Sequence, residues 1–309
     1  MTTSGVYRLT PTFNDVVEEA LDILQLGEDG ETLDGNLVER ARKTANFMLK
    51  GWAGQGIHLW TQEEGTLFLV VGQSKYSFAS SNLANNWNET TLSAAEASGQ
   101  TVLSVTDTTN IAVADVIGIL LETKDIFWTT VASKTSTEVT VDVALPSAAA
   151  SGAKVRSYVA SSFIPVNRIT EVRRRESNTY EISINFESRE DYFNLPNKTS
   201  TGEPVQSYFS RQETSGDMYI WPAPSTAETA INFSYERPIQ VISLASQTLD
   251  IPEYWYEAFI YGLANRLIPK FGCTVARAQI ISGMAREFMD IALSFDSETY
   301  PIKMVMRNA

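Results

Sequence analysis

Hydrophobic positions along the chain follow a helical period first and a strand period afterwards. Between residues 12 and 53, apolar side chains recur every three or four positions. The first set is Val16, Val17, Ala20, Leu21 and Leu24; the second is Leu37, Ala41, Ala45, Met48 and Trp52. This spacing predicts two amphipathic helices, 12–26 and 36–53. Thr12 or Asn14 is placed to cap the first and Gly27 to end it, with acidic residues early in the helix as its dipole favours. An acidic, glycine-rich loop joins the two, and Gly54 and Gly56 close the second.

From residue 66 the period changes to two, with expected strands at 66–71 and 76–78. Residues 88–157 turn rich in Thr, Ser, Val and Ala, with expected strands at 101–106, 116–121, 126–132, 138–143 and 154–159. Short, evenly spaced, β-branched strands predict a small all-β sandwich or barrel. The flanking segments read as parts of another body, so 88–157 reads as an insertion. More strands are expected at 169–174, 180–185, 205–211, 218–221 and 231–236, with a helical turn near 187–192.

The sequence 250–272 predicts a nearly all-round apolar helix, 252–268. Asp250 is placed to cap it, Pro252 to fit its first turn, and Pro269 and Gly272 to stop it. Tyr254, Trp255, Tyr256, Phe259 and Tyr261 make its aromatic stretch, expected in the core and at an interface between subunits. A last helix is expected at 275–294. The end of the chain alternates Ile302, Met304 and Met306 with Lys303, Val305 and Arg307 after Tyr300, and reads as an arm that needs a partner surface.

The expected fold is therefore α+β: a helical bundle packed with a β-rich body over 1–87 and 158–309 (β region 163–237), an inserted β domain at 88–157, and an arm at 296–309. The 309 residues suit about two domains. A net charge of −13, spread along the chain, argues against gripping DNA or an anionic membrane by charge. The single cysteine, Cys273, excludes an internal disulfide framework and fits a reducing cytosol. No signal peptide and no membrane span are expected.

Candidate chemistry is sparse. The single histidine, His58, is the only one a triad could use, and no Gly-x-Ser-x-Gly elbow accompanies it. No Walker or dinucleotide glycine fingerprint occurs. Glu63 with Glu64, or Glu187 with Asp191, offers paired carboxylates of the kind a glycosidase uses. Arg173, Arg174 and Arg175 form the only basic run. Its simpler reading is a strand edge whose charges prevent unwanted pairing; its sharper reading is a contact with a partner or with passing DNA. No catalytic residue, metal ligand or cofactor is expected.

Several runs resemble a known family. They are Gln206-Ser-Tyr-Phe209, Met218-Tyr-Ile-Trp-Pro-Ala-Pro224, Phe233-Ser-Tyr-Glu-Arg-Pro238 and Asp250-Ile-Pro-Glu-Tyr-Trp-Tyr-Glu-Ala258. Tyr261-Gly-Leu-Ala264 and Leu267-Ile-Pro-Lys-Phe-Gly272 continue the pattern; Ala45-Asn-Phe-Met-Leu49, Gly56-Ile-His-Leu-Trp60 and Gly72-Gln-Ser-Lys-Tyr76 open it. Their order is similar to that of the head-to-tail adaptors of short-tailed phages, the tail tubular protein A-like, portal-adjacent proteins. The stretch with Gly118-Ile-Leu-Leu121 and Trp128-Thr-Thr-Val131 looks like a β-module of some phage tail proteins, absent from smaller adaptors.

The resemblance implies a structural virion protein without an active site, assembled in the bacterial host cytoplasm and found in the tail or neck. It implies a homo-oligomeric ring, usually a dodecamer, bound below the portal protein. Such a ring extends the DNA channel, helps retain packaged DNA until ejection, and gives the tail nozzle protein and the tail fibre or tailspike a platform. Double-stranded DNA would pass without specific binding, and no membrane is involved. A tail-associated glycan-binding or glycan-hydrolysing protein is the alternative.

Overall fold

Thr12 sits outside the helical region and its hydroxyl accepts from the Asp15 amide, while the Asp15 carboxylate accepts from the Thr12 amide. This reciprocal box starts α1 (Phe13–Leu24) and decides for Thr12 over Asn14. The helix ends at Gln25, which takes the left-handed conformation at φ 60°, ahead of the expected Gly27. Asp34 opens α2 (Gly35–Gly54) by accepting from the Asn36 amide. The computed structural model describes residues 5, 7–26, 34–55, 59–79, 82–160, 166–177, 179–212 and 215–295. His58 and the arm residues Tyr300, Ile302, Lys303, Met304, Val305, Met306 and Arg307 lie outside them.

The chain is mixed α+β and falls into two compact units, residues 1–61 with 239–309, and residues 62–238. The second unit opens with β1 (Gln62–Phe68), β2 (Lys75–Ser77) and β3 (Leu83–Ala84). Six strands follow: β4 (Asn88–Thr91), β5 (Val102–Ser104), β6 (Val116–Leu120), β7 (Ile126–Lys134), β8 (Glu138–Val141) and β9 (Lys154–Tyr158). Then come β10 (Arg168–Ser177), β11 (Tyr180–Ser183), β12 (Asn185–Phe186), the short helix α3 (Arg189–Asn194) and β13 (Thr201–Gly202). The unit closes with β14 (Gln206–Arg211), β15 (Gly216–Trp221), β16 (Ala223–Pro224) and β17 (Ala230–Glu236).

A five-stranded sheet, β11-β10-β17-β1-β3, and a four-stranded sheet, β12-β14-β15-β2, share one apolar core. Leu67, Val172, Ile231 and Phe233 come from the first sheet; Tyr76, Phe209, Met218 and Ile220 come from the second. Strand alternation explains the sharing, because every second side chain of each strand faces the other sheet. Residues 88–158 build a six-stranded sheet, β4-β9-β6-β7-β8-β5, around a core of their own that includes Leu103, Ile117, Val139 and Val155. Its two edges meet. The Ser93 amide donates to the Ser104 carbonyl at 2.9 Å, and the Thr106 amide to the Thr91 carbonyl at 2.9 Å. Joining the edges hides backbone groups that an open sheet would leave unpaired.

The chain then returns to the first unit. Polar side chains of α2 hold the incoming segment: Arg42 and Asn46 donate to the Ile242 carbonyl at 2.8 and 2.9 Å, and Lys50 to the Ile239 carbonyl at 2.6 Å. Two sequence expectations change here. Asp250 does not cap the helix; its carboxylate accepts from the Gln240 amide at 2.9 Å. Helix α4 (Tyr256–Phe271) also runs through Pro269 rather than stopping before it. Proline removes one amide donor, and so near a helix end the lost bond is single and the fixed φ still fits. Helix α5 (Val275–Phe295) completes the unit.

Strands β15 and β17 belong to the second unit and helix α4 to the first. The unit boundary at Pro238 separates them. In the first unit α4 is the central element: α1, α2 and α5 all pack on it.

Candidate functional site

The aromatic stretch 254–261 divides between core and surface. Trp255 and Phe259 have no exposed area, and Tyr256 is almost fully buried. The Trp255 ring lies 5.2 Å from both Trp52 and Trp60, and Phe259 meets Trp52 edge-on at 6.0 Å. Trp255, Tyr256 and Phe259 therefore pack within the subunit's own core. Tyr254, 43% exposed, and the half-buried Tyr261, stacked on Phe288 at 4.9 Å, keep surface.

Helix α5 carries several exposed apolar side chains. Of its 21 residues only Ile281 and Ala292 are buried, whereas Val275, Ile280 and Phe295 are 76%, 62% and 71% exposed. A helix that buries so little of itself is one whose second side lacks a neighbour among the described residues.

Between α2 and α5, over α4, runs a groove of about 360 Å³, with Gly262 at its floor and Met48, Trp52, Arg266, Arg286 and Asp290 around it. A Cβ at residue 262 would come within 3.1 Å of the Met48 sulfur, so glycine lets α2 and α4 approach closely. Neither Arg266 nor Arg286 has an acidic partner among the described residues. A second recess of about 680 Å³ shares Asn265, Ser282 and Arg286 with the groove and continues it along α4 and α5.

Arg173, Arg174 and Arg175 do not form a basic patch. They lie on β10, which is interior to its sheet, so the strand-edge reading is corrected as well. Successive residues of a strand point to opposite faces, and here they find separate partners. Arg173 meets Glu64 at 2.7 Å, Glu181 at 3.2 Å and Glu171 at 3.7 Å, and the hydrogen bond it donates to Glu64 holds its pKa above the ordinary value. Arg174 is buried, paired with Glu176 and Glu203, and donates to the Pro204 carbonyl. Arg175 lies over the Trp87 ring at 4.3 Å. No member of the run is a spare cation for phosphate.

Glu63, Glu64 and Asp191 of the carboxylate pairs are likewise occupied. Glu63 binds Arg237 and the Tyr235 hydroxyl, while its neighbour Glu64 binds Arg173. Asp191 accepts from Ser188 at the start of α3. Among the described residues no group of three or more His, Cys, Asp or Glu gathers as a metal site would require.

One ionic centre escaped sequence reading. Arg156 on β9 is buried and pairs with Glu89 on β4 at 3.0 Å. It also donates to the Ala227 carbonyl at 3.2 Å and to the Glu228 carbonyl. Its guanidinium lies 5.6 Å from the Phe68 and Trp87 rings, and burial pushes its pKa down against the pull of Glu89. Phe68 also contacts Trp128 and Tyr158 at 4.9 and 5.7 Å. Cation and aromatics together fasten the six-stranded sheet to β1 and to the turn before β17. The only sequence signal was an arginine at an inward position of a β-branched strand.

The family model described as SU10 adaptor protein matches residues 94–296. The match begins within the six-stranded sheet and ends at the start of the expected arm. No curated protein matches the chain.

Proposed function

The chain belongs to the SU10 adaptor protein family, phage structural adaptors, and from that premise we propose that it acts as a ring-forming head-to-tail adaptor of a short-tailed phage. In this reading copies of the chain form a ring, twelve-fold as in the tail tubular protein A-like adaptors it resembles. The ring sits below the portal, extends the DNA channel, helps retain packaged DNA and carries the nozzle and the fibres. The observation that carries the reading is α5, whose apolar side chains remain exposed over most of its length. A neighbouring subunit would cover them. Electron microscopy of the full chain mixed with the portal protein tests the reading; rings stacked on the portal are expected, and separate monomers beside bare portals would overturn it.

Two finer assignments belong to the same reading. The arm 300–309 docks on the portal, and its deletion is expected to abolish portal binding while circular dichroism of the remaining chain stays unchanged; undiminished binding overturns the assignment. The net charge of −13 keeps DNA from adhering as it passes, since like charges repel over about 10 Å at 0.1 M salt. A positive potential along the lumen of the assembled ring would contradict that. The six-stranded sheet faces outward to fibres or nozzle, so complete tails assembled without residues 88–157 would argue against it.

A further inference from the structure

We infer that the groove between α2, α4 and α5 is the seat of helix α1 from a second copy of this chain. The inference rests on the ring reading and names the two faces that would meet.

One face is the outer stripe of α1. Asp15, Glu18, Glu19 and Asp22 follow the i, i+3, i+4, i+7 spacing that lines up one side of a helix, and all four are exposed. Asp15 is bonded to Thr12 and Glu18 accepts from Asn14; none of the four has a cationic partner among the described residues. Four carboxylates on a 12-residue helix repel one another. The helix dipole relieves only the first turn. A cationic counter-surface would relieve the rest.

The other face is the groove. Arg266 and Arg286 stand at it without an acidic partner among the described residues, against the single carboxylate of Asp290, so its lining is net positive in a chain that is strongly negative. Its base at Gly262 and Ala258 is shallow in side chains, and the half-buried Ala285 and Met289 add apolar surface beside it. The adjoining recess adds Ile268, Val275 and Ala278. Such a trough accepts a helix as a partner does in helix-in-groove recognition. Twelve helical residues span about 18 Å.

The α1 of the same copy cannot fill it. That helix packs on α4 through Val16, Val17, Ala20 and Leu21, with its acids turned away, and none of its residues lines the groove. Stripe and groove are different surfaces, so pairing them is head-to-tail. Repeated pairing of this kind closes into a ring when the rotation allows. A chain of net charge −13 otherwise repels its copies, and local charge inversion is what lets them dock.

The test is self-association of the full chain by sedimentation across protein and salt concentration. Three variants are compared with the wild type: Glu18→Arg with Glu19→Arg, Arg266→Glu with Arg286→Glu, and all four together. The wild type is expected to associate less tightly as salt rises. Each charge reversal should weaken association by about tenfold or more, and the fourfold variant should regain most of it. Circular dichroism confirms that each variant folds. A wild type that stays monomeric throughout, reversals that associate like the wild type, or a folded fourfold variant without recovery would each overturn the inference. Portal binding is measured on the same samples. Normal self-association with portal binding lost only in the arginine variant would assign the groove to the portal and overturn the proposal. Rescued self-association without any portal binding would support the docking and count against the adaptor reading instead.

Discussion

Gly118 on β6 lies directly opposite Trp128 on β7, and the indole covers it so closely that a Cβ at residue 118 would stand 2.6 Å from the ring. Gly65 is covered in the same way by Phe233, its partner in register, and Gly216 by Phe209. In each case a bare strand position gives an aromatic ring room to lie flat on the sheet. Gly118→Ala is therefore expected to destabilise the chain by about 1–3 kcal/mol, the usual cost of overpacking. Gly283→Ala, in α5 with nothing within 4 Å, is expected to stabilise by about 0.5–1 kcal/mol. Urea unfolding of both variants checks the pair; equal midpoints would show that the indole yields freely.

Removing Arg156 strands Glu89 and two backbone carbonyls in a buried place. Arg156→Met is expected to cost about 3–5 kcal/mol, because breaking one half of a buried ion pair leaves an uncompensated charge. Adding Glu89→Gln should recover part of the loss. A thermodynamic cycle from chemical denaturation measures the coupling, and additive losses would show that the carbonyl bonds rather than the ion pair matter.

Burial pushes the Tyr158 phenol up to about 12, from the ordinary 10.0. The unfolded chain therefore ionises first as pH rises. The stabilisation is complete below about pH 10 and is lost progressively from there toward 12. Tyr158→Phe is expected to flatten the decline of melting temperature with alkaline pH, and parallel declines for variant and wild type would assign the effect to other phenols.

Trp255→Ala is expected to cost about 3–5 kcal/mol, since it empties the contact shared by Trp52, Trp60 and α4. Tyr254→Ala, whose ring meets Phe295 at 5.7 Å at the surface, should cost about 0.5–1.5 kcal/mol. Thermal unfolding of the two variants compares them; a small loss for Trp255 would return that residue to a subunit interface.

The helices of the first unit were legible because their signal is local. A stripe such as Val16, Val17, Ala20, Leu21 and Leu24 needs only the helical period to declare its buried side. Strands such as β7 and β17 were legible for the same reason. Helix ends were less so. Gln25 could replace a glycine in the left-handed position, and Pro269 could sit inside a final turn, because each cost is small enough for packing to override.

What the sequence by itself determined is the long helices and most of the longer strands, their alternating or helical faces, the acidic balance, and a likeness to phage adaptors. All of these follow from residues close together in the chain. Only the tertiary structure decided where Arg173, Arg174 and Arg175 would spend their charge, since their partners Glu64, Glu203 and Trp87 lie far away in sequence. It likewise decided that Trp255 is enclosed while α5 is bare, because burial depends on which elements meet, and no local period encodes that meeting.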